Sequence, residues 1–148
     1  MSVWKKKWGP DPLDKALNYV ALARKAGRIE LGEEPVGAAT RGHFARLVIV
    51  ASDASDHTWR RALSFVAGTQ QKCIRIPFTK DELGAAIGRT ALAIAAFTDA
   101  ALALAFAKAL PQPDANLVAA LEQLTAHLAQ RQKEAKAHQR NKRTGKKK

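Results

Sequence analysis

Residues 47–50 read LVIV, four apolar side chains in a row, three of them β-branched, with no polar residue between them. A strand with one face in water alternates apolar and polar residues. An unbroken run of this kind belongs to a sheet covered on both faces, so helices must flank it. The surrounding sequence supplies them. From Leu13 the apolar residues Leu17, Val20, Ala21 and Leu22 recur at helical spacing and end in Arg24-Lys25 and then Gly27, a glycine stop. RIEL (28–31) is a short strand candidate, Gly32 turns the chain, and EEPVGAATR (33–41) carries its acids and Pro35 in a first helical turn. After LVIV, Ser55 is the candidate N-cap of a helix with Trp59, Leu63 and Val66 on one face, ended by Gly68. CIRIP (73–77) is the next strand, and Thr79 with Glu82 has capping-box spacing for a short helix ending near Gly88.

ALAIAAF (91–97) is a buried strand or a helix by period alone, and Thr98-Asp99 caps an apolar helix over 100–110. Strands alternating with helices predict an α/β fold, here a three-layer α/β/α sandwich around a central mixed sheet of about four strands. That domain spans residues 11–110. PQPD (111–114) is a proline linker, and Asp114 caps a C-terminal amphipathic helix over 114–130 with Leu117, Leu121, Leu124 and Leu128 in a narrow stripe. Residues 131–148 form a basic tail with too little apolar surface to fold by itself.

The position of charge matters more than its total. The formal net charge is +12, of which Lys5 to Lys7 supply +3 and residues 131–148 supply +8, leaving +1 for everything between. The ends thus provide long-range attraction to a polyanion, while the central domain can carry carboxylates. At the N-terminus, residues 1–10 form a basic arm in which Trp4 and Trp8 bracket the three lysines, a composition suited to phosphate contact with base stacking.

Several chemistries are excluded. The sequence has no glycine-rich phosphate loop ending in Gly-Lys-Ser/Thr, no G-x-G-x-x-G, and no H-x-E paired with C-x-x-C. His43, His57, His127 and His138 are scattered without metal-ligand spacing, and Asp53 and Asp56 flank Ser55 where acids favour a helix start. No metal, cofactor or catalytic residue is expected, and the chain is read as a non-enzyme. The lone Cys73 excludes a disulfide framework and fits a buried small side chain in a reducing, cytoplasmic setting. The apolar runs 91–97 and 100–107 fall short of the roughly 18 residues needed to span a bilayer. MSVWKKKWGP is not followed by the apolar stretch of a secretory signal.

Taken together, KALNYVALARKAGRIELGEEPV, ARLVIVASDAS and FTKDELGAAIGRTALAIAAFTD, in this order, resemble the kink-turn-binding ribosomal-protein family, in particular its small bacterial YlxQ-type branch. The resemblance covers residues 13–110. It implies an α/β/α sandwich that binds kinked RNA, in a family of ribosomal proteins and ribosome-associated factors. It further implies that RNA is held by Gly32, Glu33 and Glu34, with Gly88, Arg89, Thr90 and Ala91 closing over an extruded nucleotide. Family members typically carry Asn-Glu in this turn and a lysine one helical turn later; here the stretch runs Glu34-Pro35, then Gly37 and Ala38. A carboxylate suits such a site because guanine N1–H and N2–H₂ are donors that a lysine cannot accept from. Positive charge near the face is expected from Arg24, Lys25, Arg28, Arg41 and Arg46. The function expected is RNA binding, on structured ribosomal RNA or the ribosome. The alternative is a protein-interaction module that docks a partner through the leucine stripe.

Overall fold

The computed structural model describes residues 12–145. The basic aromatic arm expected over 1–10 lies outside them. In chain order the elements are α1 (Pro12–Ala26), β1 (Ile29–Leu31), α2 (Glu33–Arg41), β2 (Leu47–Val50), α3 (Asp56–Val66), β3 (Lys72–Arg75), α4 (Lys80–Ala85), β4 (Ile94–Phe97), α5 (Ala100–Ala109) and α6 (Ala115–Gly145). The four strands form one mixed sheet in the order β1-β4-β2-β3, with β2 parallel to β3 and β4 antiparallel to both β1 and β2. Strands β1, β2 and β3 therefore all point the same way. Helices α2 and α3 pack together on one face of the sheet, and α1, α5 and α6 pack on the other, completing the three layers. Every residue of β2 and β4 is buried, as the run LVIV demands.

Local chemistry accounts for most element boundaries. Ser55 Oγ accepts from Thr58 N at 3.1 Å and caps α3. Thr79 and Glu82 form a reciprocal capping box on α4. Asp99 Oδ1 accepts from the amides of Ala101 and Leu102 to cap α5, and Gly27 ends α1 with φ 69°. The ambiguous run 91–97 is a strand only over Ile94–Phe97, wedged between β1 and β2. On α3 the expected face differs: Thr58 and Ala62 are the buried positions, whereas Leu63 is 42% exposed and Trp59 is half-buried. The small residues face inward because α3 packs closely on both α2 and the sheet.

Asp114 Oδ1 accepts from Asn116 N and Leu117 N at the start of α6. Leu117 and Leu121 are buried in the domain's own core, and Leu124 and Leu128 are half-buried, so the stripe considered for a partner is largely used internally. The helix does not stop at residue 130. It continues through the basic segment to Gly145, because Ala, Gln, Lys, Glu and Arg all favour the helical state and Gln130 Nε2 donates to Glu134 Oε2 one turn on. No helix among the described residues is long and apolar enough to cross a membrane.

Candidate nucleic-acid interface

At one end of the sheet, β1, β2 and β3 finish and β4 begins. Gly32 leaves β1 with φ 100° and ψ 164°, a conformation in which a side chain is strained, and its amide donates to Ile94 O at 3.0 Å. No side chain caps α2, whose first acceptor is the Gly32 carbonyl through Val36 N at 3.0 Å. The first amides of α2 lack intrahelical acceptors, and Pro35 has no N–H to add. This leaves a short, positively polarised helix start next to the turn.

The segment Gly88–Ala91 arrives at the same end. Gly88 has φ 75°, Arg89 N donates to Gly84 O at 2.9 Å, and Leu92 N donates to Lys80 O at 3.0 Å. Its position is fixed by a close approach, since a Cβ on Gly84 would lie 2.7 Å from Ala91 N and Cα. Three residues after Ala91, Ile94 pairs with the Gly32 turn, and Ala93 O accepts from Ala51 N at the exit of β2. β-Pairing thus brings together two segments more than fifty residues apart. Arg89, Thr90 and Ala91 are all exposed.

The two adjacent glutamates turn out to differ. Glu33 Oε1 accepts from Arg61 Nε of α3 at 3.2 Å, and the Arg61 guanidinium lies 5.1 Å from the Phe65 ring centroid. Glu34 is exposed in the first turn of α2. Arg41, at the far end of α2, has its guanidinium beside Gly37, with Nη1 3.4 Å from where a Gly37 Cβ would stand. That same Cβ would lie 3.2 Å from the Phe65 ring, so α2 and α3 fit closely here and a methyl would push the ring aside by a few tenths of an ångström. Thr40, the other unusual residue in α2, is buried and donates to Gly37 O at 2.9 Å. Arg61 was missed in the sequence. Its ion pair spans 28 residues, and the only local sign of it is the i, i+4 spacing to Phe65.

The other cations expected near the face, Arg24, Lys25, Arg28 and Arg46, do not join this end, whereas Arg75 at the exit of β3 does, with Nη1 donating to Ser52 O at 3.4 Å. Arg28 and Arg46 immediately precede β1 and β2 and lie at the opposite end of the sheet, where Thr98 N donates to Arg28 O and Arg46 N donates to Phe97 O. Arg24 and Lys25 sit in the last turn of α1, which leads into Arg28. Asp53 Oδ1 accepts from Lys80 N at 2.8 Å and so ties the β2 exit to α4. Cys73 on β3 is half-buried, and burial pushes its thiol from an ordinary 9.0 up to about 11. Among the described residues no group of three or more His, Cys, Asp or Glu is placed to hold a metal ion.

No protein-family model matches the chain. The RNA-binding protein YlxQ of Enterococcus faecium is 33% identical over 75 residues, which cover 51% of this chain and 72% of that protein. The chain belongs to the YlxQ family. A solved structure of a Bacillus halodurans protein with unknown function superposes on the YlxQ-type domain with a TM-score of 0.61 at 28% identity, covering 66% of this chain and 98% of that one. The Giardia lamblia 15.5kD RNA binding protein superposes with a TM-score of 0.56 at 21% identity, covering 78% of this chain and 92% of that one, and shows the shared fold.

Proposed function

We propose that this YlxQ-family chain is a non-catalytic RNA-binding protein that holds kinked RNA at the sheet end formed by Gly32–Glu34 and Gly88–Ala91. The observation that carries the reading is the meeting of an uncapped helix start, an exposed carboxylate and an exposed loop at Ile94. The uncapped amides of α2 suit a phosphate, Glu34 suits the donor edge of guanine, and Arg89 adds positive charge on the loop. Glu33 would act differently, orienting Arg61 over Phe65 on the α2–α3 face. The family name of its relative and the basic ends of the chain support RNA as the partner. Structured ribosomal RNA is the substrate class we favour, with the protein as a ribosome-associated or assembly factor in the cytoplasm.

The test compares binding of the full chain to a kink-turn RNA and to a straight duplex of equal length. The expected result is a preference for the kinked RNA that falls about 10- to 100-fold in Glu34→Gln, the loss of one well-made base-edge contact. Equal affinity for the two RNAs in the unsubstituted chain would remove the reading.

A further inference from the structure

Because β1, β2 and β3 run the same way, the residues that precede them share the sheet end opposite the Gly32 turn. Those residues are basic. Arg28 precedes β1, Arg46 precedes β2, and Lys72 opens β3, paired with Leu47. Arg28 and Arg46 flank the end of β4, two strand spacings apart, or roughly 10 Å. Helix α6 crosses nearby, and its Arg131 joins Arg28 and Arg46 in lining an open cleft of about 630 Å³. The acid in that cleft, Asp99, already accepts from the amides of Ala101 and Leu102. The ion pairs among the described residues are Arg61–Glu33 and Lys108–Glu122, and neither uses these four cations.

An aromatic ring stands beside Arg28, which lines clefts on both sides of this sheet end. Phe44 is 61% exposed although its ring packs over Gly42, 2.7 Å from where a Cβ would stand, and it shares a second cleft with Arg28 and the exposed acid Glu30. A buried position for Phe44 would be the ordinary arrangement, and an exposed flat ring next to an arginine has the composition of a base-stacking platform.

We propose that this end is a second RNA contact, in which Arg28, Arg46 and Arg131 hold phosphates of a strand whose base stacks on Phe44. It rests on the RNA-binding reading above and extends it: one chain grips two RNA segments, by shape at one end and by backbone charge at the other. Contacts of this kind carry no sequence preference.

The test uses the full chain and two probes with no kink, a short oligouridine and a straight RNA duplex, between 50 and 200 mM salt. Each phosphate neutralised on a single strand contributes about 0.7 to the slope of log K against log salt. Replacing all three arginines (R28Q/R46Q/R131Q) should make that slope shallower by about two, so the loss of affinity over this range becomes about sixteenfold smaller. The matching triple lysine variant should restore the slope, and Phe44→Ala should weaken oligouridine binding about fivefold or more. Independently, thiouridine-substituted oligouridine should photocrosslink to the Phe44 segment of the unsubstituted chain. An unchanged slope in the glutamine variant, or crosslinks confined to the other end, overturns the proposal and leaves the cations to an acidic protein partner. Equal affinity of the unsubstituted chain for kinked and straight RNA alongside an intact arginine effect would sink the first reading and keep this one.

Discussion

Gly84 is the residue on which the loop at the candidate site rests. It lies inside α4 with an ordinary backbone, so replacing it with alanine introduces no conformational strain and should gain up to about 1 kcal/mol in helix propensity. The cost is steric. The new methyl would stand 2.7 Å from Ala91 N and Cα and 2.9 Å from Ala91 C, all backbone atoms, so no rotamer change relieves the clash. Ordinary contact requires the loop to retreat by about 1 Å, and overpacking of this kind costs about 1–3 kcal/mol. The net expectation for Gly84→Ala is a loss of about 0–2 kcal/mol, a fall in Tm of a few degrees for a domain of this size. The more diagnostic readout is local. The Arg89 and Leu92 amides, bonded to Gly84 O and Lys80 O, should exchange with deuterium faster while the β2 amides stay protected. Gly37→Ala is the control: its methyl meets a Phe65 ring edge at 3.2 Å, a side chain that can shift, so the variant should be close to neutral. Unchanged exchange at Arg89 and Leu92 in Gly84→Ala would refute the claim that this contact sets the loop.

Two further predictions concern side chains. Arg61→Ala should lower stability by no more than about 1 kcal/mol in thermal unfolding, because its pair with Glu33 is partly exposed, and Glu33→Gln should lose no more than Arg61→Ala does. Cys73 should react slowly with thiol reagents at pH 8 in the folded protein and quickly in denaturant, since burial disfavours the thiolate. The sign of the linkage follows: the folded thiol titrates above its unfolded value, so stability is intact below about pH 9 and falls as pH rises toward 11, and urea unfolding of Cys73→Ala should lack that component.

What was legible in the sequence is what depends on neighbours along the chain. The caps at Ser55, Thr79 and Asp99 satisfy backbone donors two or three residues away, so their chemistry could be read directly. LVIV announced a sheet covered on both faces by its lack of alternation. The face of α3 was misjudged because its apolar residues outnumber its buried positions, and only close packing against α2 and the sheet selects Thr58 and Ala62 over Leu63. The run 91–97 could not be assigned from its period, since a strand buried on both sides looks like a buried helix. Likewise the tail was judged by what it could bury, whereas α6 continues through it on intrinsic propensity.

The basic residues near the turn show how register reorganises a linear pattern. In the sequence Arg28 stands four residues from Gly32 and looks like part of the same site. The three intervening positions make up β1, which carries the chain across the sheet, so the two residues occupy opposite ends. Arg41 behaves in the reverse manner: nine residues from Gly32, at the far end of α2, it folds its guanidinium back toward Gly37. The parallel direction of β1, β2 and β3 then sorts the flanking residues, basic ones before the strands and the Gly32 turn and helix starts after them. The tandem glutamates obey the same logic. Helix α2 rotates successive side chains by about 100°, which turns Glu33 toward Arg61 on α3 and leaves Glu34 exposed, so two identical neighbours meet separate surroundings.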